Sequence, residues 1–583
     1  MHFRDTLVFA VAITPQDDCW PSPETWNSLN TTVHGNLIAN HPIAQPCYEG
    51  APDYDASRCE EITAKWTNSW FREDSPIGYS YLLIETCPPV NDSSLNPVCD
   101  LGPAPVYTID ATSDEDVVAG IVFAKDHNVR LVIKNTGHDI VGRSQGYGSL
   151  SIWIKHLREG IRFQEQYVPS TNCASNWTGS ALTVAGGYVW DEVYAEAAKH
   201  GVIAVGGSDR SVGVIGGYLQ GGGHGPVSHD FGLATDQVLE YRVVLASGEI
   251  VTANECEYPD LFMALRGGGG GTFGVVVSAT IKVYPSRPAL IHSLEIEPTG
   301  ENLSDFRNAV ADIISRFPSL SDGGFSGNAL MTENAYTHNF SLLLSGNNST
   351  RSEIASGKVT VQQEILDSLT PLNGTTLDVI SSFTQFPTWH AYLEGSGAHL
   401  SKTGTSAILP SRFFDKNSLL SNQGNLSELL TTLFNRPSSG STPTSETILE
   451  LLLIGGGHVL RPAPYTSVNP AWRKTYLLME LVEIWSESAG LQGREAIFHD
   501  ATNRKLRAMK DLTPGMGTYL NEADRNDPDY KQDWFGGLYD WLVSVKRVYD
   551  PEGVFWCYRC VGSEGWEERR GGTVYGPLCE VGE

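Results

Sequence analysis

Basic residues are scarce in this 583-residue chain: 40 lysines and arginines stand against 68 aspartates and glutamates, giving a formal net charge of −28. Nucleic acids and anionic membrane surfaces are bound by clustered lysine and arginine, so the composition argues against both partners. Long apolar runs are lacking as well. No stretch approaches the 18 unbroken apolar residues typical of a membrane-spanning helix, and we expect no membrane span.

Two common cofactor signatures are also missing. Cys557 and Cys560 have the spacing of a zinc-ligand pair, but no second pair lies nearby in the sequence, so we predict no metal site. No glycine cluster matches G-x-G-x-x-G at the right place in a βαβ unit, which disfavours a nicotinamide-binding Rossmann domain. No internal repeat of fixed period is evident.

Apolar residues, by contrast, are plentiful. They make up 41% of the chain before its 59 glycines are counted, so a large core can form and global disorder is excluded. A prior of about 150 residues per domain gives three to four units, but large α/β enzymes often use two.

Cysteine and glycosylation patterns favour secretion. Five of the ten cysteines lie in the first hundred residues and three in the last thirty, which is typical of disulfide bonding in an oxidising compartment. A short apolar run from Leu7 to Ile13, behind Arg4, resembles a weak signal peptide. Asn-x-Ser/Thr sequons occur at Asn30, Asn91, Asn176, Asn302, Asn339, Asn347, Asn348, Asn373 and Asn425. We predict a secreted, disulfide-bonded glycoprotein.

Hydrophobic periodicity predicts two domains, of which the first is α/β or α+β. Between residues 106 and 288, predicted strands alternate with helices, such as the one that Ser113 caps ahead of three acidic residues. Apolar runs at Ile448–Ile454 and Tyr476–Trp485 predict strands of another sheet. The predicted units are an irregular disulfide-rich segment over residues 1–100, a first domain over 101–288, a second domain over 289–500 and a tail over 501–583.

Three glycine clusters, at residues 135–148, 206–224 and 266–276, lie within about 140 residues of each other. Glycine lets backbone approach a ligand closely, and runs of free N–H groups form anion-binding nests, for which a pyrophosphate is the obvious anion. Each cluster alone is equally well explained as an ordinary turn of a β-rich domain. His138 follows Gly137 directly in the first cluster. It is either a hydrogen-bonded structural residue or, as a neutral imidazole, a nucleophile.

Together the three clusters resemble the flavin domain of the vanillyl-alcohol oxidase superfamily, also called the p-cresol methylhydroxylase-type FAD domain. The tail strengthens the resemblance with Tyr519-Leu520-Asn521-Glu522, Trp534-Phe535-Gly536 and the run from Lys546 to Phe555. It is similar to the C-terminal segment of fungal berberine bridge enzyme-like, or isoamyl alcohol oxidase-like, oxidases. The resemblance covers about residues 100–288 and 455–566.

The resemblance implies a two-domain α+β flavin oxidase fold in which FAD binds the first domain and the tail returns to that domain. It also implies that the second domain holds the substrate and contains an antiparallel sheet covered by helices. His138 matches the position that bonds covalently to the 8α-methyl of the flavin. Many relatives carry a second bond from a cysteine in the pattern Gly-x-Cys-Pro-Thr, but Asp209 stands at that place here. We therefore predict FAD attached by one covalent bond.

The resemblance also implies which residues contact the flavin. They are Asn135, Thr136, Gly137, His138, Asp139, Gly142, Arg143 and Ser144 in the first cluster; Gly207, Ser208, Asp209, Gly213, Gly216, Gly217, Tyr218, Gly223 and His224 in the second; Gly274, Val275 and Val276 in the third; and Asn521 in the tail. For His224 a purely structural role is equally consistent with the sequence.

The catalytic base is less well defined by the sequence. The family's Tyr-x-Asn places Tyr519 and Asn521 near the flavin, and Tyr558 is either a cavity residue or a core residue. Candidates on the predicted strands of the second domain are His458, Tyr476, Glu480 and Glu483. Glu480 and Glu483 have opposite parity, so only one can face a cavity, and solvent exposure is the commoner state for both.

The leading hypothesis is a secreted, monomeric FAD-dependent oxidoreductase. It transfers a hydride from an alcohol, a sugar or a secondary metabolite to flavin N5, with O2 as acceptor and hydrogen peroxide as product. Two alternatives remain open at this stage: a flavin-fold glycoprotein that binds ligand without turnover, and a dehydrogenase or oxidative cyclase that reacts slowly with O2.

Overall fold

The computed structural model describes residues 12–82, 84–89, 99–344, 360–397, 403–420, 423–435, 445–485, 490–569 and 575–581. Most of the apolar run at Leu7–Ile13 and the sequons at Asn91, Asn347 and Asn348 lie outside these ranges. In the described part of the chain, no helix is long and apolar enough to span a bilayer.

Twenty-one strands are described in these ranges. In chain order they are β1 Leu37–Ala39, β2 Tyr81–Leu82, β3 Tyr107–Asp110, β4 Leu131–Lys134, β5 Leu150–Trp153, β6 Ile161–Gln164, β7 Ala181–Ala185, β8 Val202–Ala204, β9 Val238–Val244, β10 Ile250–Ala253, β11 Val275–Pro285, β12 Ala289–Pro298, β13 Ser326–Met331, β14 Tyr336–Leu343, β15 Leu377–Phe386, β16 Thr405–Ile408, β17 Ser411–Asp415, β18 Ser445–Leu453, β19 Thr475–Trp485, β20 Trp566–Glu568 and β21 Leu578–Glu580.

The longer helices pack beside these strands. They are Pro23–Thr32, Ala56–Lys65, Asp114–Asp126, Trp190–Lys199, Pro259–Leu265, Ser304–Ser315, Phe317–Asp322, Thr360–Leu369, Gln423–Phe434, Gly490–Asp500, Arg507–Leu512, Tyr530–Phe535 and Tyr539–Tyr549.

Three large sheets organise the chain, as the α+β prediction requires. A four-stranded sheet runs β1-β3-β5-β4, and a six-stranded sheet runs β10-β9-β11-β7-β6 with β8 beside β11. A nine-stranded sheet runs β15-β12-β14-β13-β18-β19-β16-β2, with β17 beside β19. A two-stranded sheet joins β20 and β21. The runs Val238–Ala246 and Ile250–Thr252, on either side of Gly248, predict a hairpin from the sequence. This prediction is confirmed, since β9 pairs antiparallel with β10.

Local sequence signals explain where several elements begin. Ser113 accepts a hydrogen bond from the Asp116 backbone N–H, and the Asp116 carboxylate accepts from the Ser113 N–H, which forms a capping box. This confirms the predicted helix start. The strands β18 and β19, predicted from apolar runs, pair antiparallel with Glu450 opposite Glu480.

The N-terminal segment, predicted to be irregular, contains helices and strands that join two sheets. Its strand β1 pairs with β3, and β2 adds to the edge of the nine-stranded sheet beside β16. The short helix Ser69–Glu73 places Arg72 and Glu73 in the interior. The expected disulfide bonding is local here, with Cys47–Cys59 and Cys87–Cys99.

Two further disulfides join Cys173 to Cys256 and Cys557 to Cys560. Not every cysteine is paired, because Cys19 and Cys579 are free in the described structure. The Cys173–Cys256 bond closes 83 residues of the six-stranded-sheet region, whereas Cys47–Cys59 closes 12.

The double variant Cys173→Ser/Cys256→Ser is expected to lose about 3–5 kcal/mol of unfolding free energy, because a longer closed loop restrains the unfolded chain more. The variant Cys47→Ser/Cys59→Ser should lose less. Thermal melts of both variants beside the wild type measure this. A larger drop in Tm for the 12-residue loop would contradict the loop-length argument.

Candidate functional site

A cavity of about 870 Å³ lies where the three glycine clusters face the nine-stranded sheet. Its walls come from the loops after β4, β8 and the helix Pro259–Leu265, from one face of β18 and β19, and from the tail near Asn521. This volume lies in the upper part of the range of small-molecule and cofactor sites.

Asp139 fixes the first glycine cluster where it leaves β4. Its carboxylate accepts hydrogen bonds from the Ser144 backbone N–H at 2.6 Å, from the Ser144 hydroxyl at 2.8 Å and from the Gly142 N–H at 3.2 Å. Gly137 and Gly142 have φ of +93° and +80°, a conformation that side chains rarely tolerate. The loop is therefore rigid around His138.

The three clusters approach one another so closely that glycine is required at the contacts between them. A Cβ on Gly216 would lie 2.7 Å from the Asn135 side chain, and a Cβ on Gly270 would collide with the Gly216 carbonyl oxygen. Gly217 and Gly271 differ, because a Cβ there would meet no protein atom closer than 3.9 Å, although both line the cavity. Their bare backbone forms a cradle open to an occupant.

His138 is held from one side of its ring. Its Nε2 lies 2.7 Å from the Ser211 hydroxyl and 3.3 Å from Oε1 of Glu73, whose side chain is 0% exposed. The Ser211 hydroxyl in turn donates to Oδ1 of Asp209 at 2.9 Å. Burial acts to lower the pKa of His138, but the hydrogen bond to Glu73 and the charges of Asp209 and Glu73 outweigh it and raise that pKa.

Carboxyl groups gather on the opposite wall. Glu480 lines the cavity from β19, Glu450 lies directly opposite it on β18, and Glu522 of the tail accepts a hydrogen bond from Nε2 of His224 at 2.7 Å. Glu483 lies on the other face of β19, where it pairs with Lys505. The parity argument is confirmed, but the expected solvent exposure is wrong, because both glutamates are 2% exposed.

The carboxyl groups influence each other's ionisation. Burial and the charge of Glu522 raise the pKa of Glu480 well above its usual range and that of Glu450 to about 7. Burial also opposes ionisation of Glu522, but the charge of His224 and hydrogen bonds from His224 and Glu480 lower its pKa. Within this buried pair the negative charge is therefore favoured on Glu522 and the proton on Glu480.

The tail meets the glycine clusters at Tyr519 and Asn521. The Tyr519 hydroxyl oxygen accepts from the Gly223 N–H at 3.2 Å and from the Asn521 amide at 2.6 Å. The same amide donates to the Gly217 carbonyl at 2.9 Å, and Arg143 donates to the Asn521 Oδ1 at 2.6 Å. Burial, with the nearby Glu522 charge, raises the pKa of Tyr519, so its hydroxyl stays neutral.

Most residues that the sequence marked for the site lie along this one cavity. They are Asn135, Thr136, Gly137, His138, Asp139, Arg143, Ser144, Gly207, Ser208, Asp209, Gly213, Gly216, Gly217, Tyr218, His224, Gly274, Val275, Val276, Glu480, Tyr519 and Asn521.

Gly142, Gly223 and Tyr558 are not among the residues that line the cavity in the described structure. Gly142 and Gly223 support it through their backbone N–H groups. The Tyr558 ring stacks under the guanidinium groups of Arg525 and Arg559 instead.

The two remaining candidates from β19 and its neighbourhood are also placed elsewhere. Tyr476 donates to Asp322 at 3.0 Å, and His458 is exposed.

Sequence reasoning missed Glu73, Ser211, Glu450 and Glu522. Alternation along β18 could have identified Glu450, because it shares the strand face of Ile448 and Leu452. Glu73 gives no such signal, since 65 residues separate it from His138 and only the tertiary fold joins them.

Comparisons with known proteins agree on one family. Residues 105–254 match the model "FAD binding domain", and residues 518–560 match "Berberine and berberine like". The chain is 40% identical to the FAD-linked oxidoreductase apf9 of Gibberella fujikuroi, over 96% of each chain. It superposes on the VAO-type flavoprotein MtVAO713 of Myceliophthora thermophila with a TM-score of 0.91 and 35% identity, covering 98% of this chain and 100% of the other.

A more distant similarity of fold is found to the glucooligosaccharide oxidase of Acremonium strictum. The TM-score is 0.60 and the identity 20%, over 79% of this chain and 92% of the other. The name of that structure records a 6-S-cysteinyl, 8α-N1-histidyl FAD.

The residues present fit FAD. The cradle at Gly217 and Gly271 leaves room for a group in contact with bare backbone, and the cavity is of cofactor size. Asn135, the first-cluster loop and the second cluster would hold the cofactor along one side, while β18 and β19 leave the facing space for a substrate.

The variant Gly270→Ala should lose most of its flavin, because the added methyl group forces the third cluster away from Gly216. Gly537→Ala is the matched control, since a Cβ there meets nothing within 4 Å. Absorbance of the purified proteins gives the flavin-to-protein ratio. Equal ratios in the two variants would show that the close contact is not needed for binding.

Proposed function

We propose that this chain, which belongs to the VAO-type, berberine bridge enzyme-like family of FAD-linked oxidoreductases, is a secreted oxidase of alcohol or sugar hydroxyl groups that carries FAD on His138. In this proposal residues 101–288 hold the flavin and residues 289–500 the substrate. O2 is the electron acceptor and hydrogen peroxide the product.

One observation carries the proposal. A single cavity joins the glycine cradle and His138 to a wall of carboxyl groups on β18, β19 and the tail. A redox cofactor on one side and proton-accepting groups on the other are what the oxidation of a hydroxyl group requires.

When bound, the flavin supplies the two-electron chemistry, taking a hydride from the substrate carbon and passing the electrons to O2. The protein supplies position and charge. Tyr519 and Asn521 are locked together by their hydrogen bond and tied to Gly217 and Arg143, so they form a fixed polar edge of the cavity. Apolar side chains such as Ile448 and Val482 line the space between the carboxyl groups.

The hydrogen bonds of His138 support its role as the attachment site. An ionised carboxylate accepts but cannot donate, so the single Ser211 hydroxyl proton points to Asp209 and the hydroxyl oxygen accepts from Nε2 of His138. In the neutral ring the proton therefore sits on Nε2, and Nδ1 holds the lone pair. Nδ1 has no hydrogen-bond partner among the described residues and is the nitrogen that we assign to the bond with the flavin.

With FAD in the cavity, His138 would supply the Nδ1 lone pair as the nucleophile toward the 8α-methyl and would keep its Nε2 proton on the hydrogen bond to Ser211. The methyl group would lose one hydrogen with its electron pair, and O2 would take these together with one proton from solvent and leave as hydrogen peroxide. Asp209 and Glu73 stabilise the positive charge that bonding at Nδ1 places on the imidazole, as the raised pKa of His138 reflects.

Four disulfides support the secreted state, because such bonds persist in oxidising compartments. The enzymatic proposal is tested on secreted protein. Flavin bands near about 370 and 450 nm that survive acid precipitation, with peroxide release on an alcohol or sugar, are expected. If the substrate reduces the flavin but no peroxide is released, the protein is a dehydrogenase and not an oxidase.

His138→Ala is expected to fold and to bind FAD without a covalent bond, since the glycine cradle is unchanged. Acid precipitation should then leave the flavin in the supernatant, whereas it stays in the wild-type pellet. Yellow mutant pellets would place the attachment at another residue.

Ser211→Ala is expected to slow covalent attachment at least about tenfold, because Nε2 loses the hydrogen bond that fixes the tautomer. Ser211→Thr keeps the hydroxyl and should attach flavin at nearly the wild-type rate. The measurement is the growth of covalent flavin fluorescence after FAD is added to apoprotein. If both variants attach flavin covalently at the same rate, the Ser211 hydroxyl has no role in the attachment.

A further inference from the structure

Four ionisable side chains from four parts of the chain converge on the substrate side of the cavity. They are His224 at the end of the second glycine cluster, Glu450 of β18, Glu480 of β19 and Glu522 of the tail. A ring nitrogen of His224 and carboxylate oxygens of Glu480 and Glu522 lie within 4.8 Å of one another. Glu450 is the direct cross-strand neighbour of Glu480.

Glu522 differs from the other two carboxyl groups in its partners. It accepts from His224 at 2.7 Å and from Glu480, whereas Oε1 of Glu480 is buried with no hydrogen-bond partner among the described residues. Three neighbouring carboxylates cannot all be ionised in a cavity of low dielectric. The partners determine that Glu522 carries the charge and Glu480 the proton.

Tyr519 lies beside this cluster but is a poor proton acceptor. Its hydroxyl oxygen already accepts two hydrogen bonds, from Gly223 and Asn521, and the neighbouring charge of Glu522 opposes its ionisation. Between the two groups, the carboxylate is the one that is ionised and able to take a proton near neutral pH.

We propose that Glu522 is the catalytic base of the oxidation and that Glu480 is a protonated positioning residue that orients it. This inference rests on the proposed function, which supplies the flavin and the hydroxyl substrate. The substrate O–H bond breaks and its proton goes to the Glu522 carboxylate. The hydrogen of the C–H bond leaves with the electron pair as a hydride to the flavin that would occupy the cavity, and a second carbon–oxygen bond forms. O2 then takes the two electrons with that hydrogen and the proton held by Glu522, which gives hydrogen peroxide.

Glutamine substitutions separate the two roles. Glu522→Gln removes the base and should slow anaerobic flavin reduction 100-fold or more. Glu480→Gln still donates a hydrogen bond through its amide and should slow it less than tenfold. The probes are benzyl alcohol, 3-methylbutan-1-ol and cellobiose, using whichever reduces the wild-type flavin fastest. Glu483→Gln, on the opposite face of β19, is the matched control for losing a buried carboxylate from this strand.

A second measurement needs no substrate. Sulfite adds to flavin N5 as an anion, so a neighbouring carboxylate weakens its binding. Glu522→Gln should bind sulfite about tenfold or more tightly than the wild type, because a unit charge has been removed from the cavity. Glu483→Gln should match the wild type, since its side chain faces away from the cavity.

The pH profile adds a signature that a structural role would not produce. Glu522 is charged above its lowered pKa, so wild-type flavin reduction should fall as the pH falls through that value, and this acid limb should vanish in Glu522→Gln. The titratable groups that face Glu522 are His224, Glu450, Glu480, Tyr218 and Tyr519.

The outcomes are distinct. If the wild type carries no flavin, the proposed function is wrong. If no probe reduces the wild-type flavin but Glu522→Gln still binds sulfite more tightly, the proposed function is again wrong, whereas the charge assigned to Glu522 stands. Wild-type sulfite affinity in Glu522→Gln, or a loss of 100-fold in Glu480→Gln with a mild effect in Glu522→Gln, overturns the inference. Loss of activity with EDTA and its return with a divalent metal would overturn it too, by assigning the cluster to metal binding.

Discussion

Close approach between backbone segments is the constraint on which the site depends. The three glycine clusters come from loops far apart in the sequence, and they meet only because Gly216 and Gly270 have no Cβ. The same feature at Gly217 and Gly271 leaves an open cradle instead of a contact. One wall of the cavity is therefore backbone, suited to a large flat cofactor, and the other is side chains on β18 and β19, suited to a variable substrate.

Charge in this cavity is balanced by partners from remote parts of the chain. His138 faces Glu73, which the N-terminal segment supplies, and Glu522 of the tail faces His224. Glu73 is 0% exposed, so its attraction to His138 is screened little by water, whereas the Glu522 side chain is 31% exposed. The N-terminal segment thus belongs to the site as well as to two sheets, because β2 also brings Tyr81 to the cavity wall.

Local turn, cap and periodicity signals predicted the mixture of helices and strands and the hairpin of β9 and β10. The three glycine clusters predicted a ligand-binding site for a different reason, because glycine lets backbone approach a ligand closely. The sequence also predicted that Glu480 and Glu483 face opposite sides, which follows from the period of a strand. Their burial could not be predicted, since it depends on Lys505 and on the sheet partner of β19. The roles of Glu73 and Glu522 could not be predicted from the sequence for the same reason, because each role depends on a long-range contact. The helices of the N-terminal segment were missed because their apolar positions are few.

This balance of charge explains how Asp209 can stand at the place where the family pattern has a cysteine. A flavin that takes up electrons gains negative charge, so the carboxylates of Asp209 and Glu522 on the cavity wall both oppose its reduction in the proposed enzyme. A positive imidazole bonded at the ring edge favours reduction, and Asp209 reaches that imidazole through Ser211. In the proposed enzyme Asp209 would therefore act mainly on His138 and only secondarily on the flavin. In that enzyme an aspartate can occupy the position of the second covalent bond, because its negative charge stabilises the positive imidazole of His138, which forms the first.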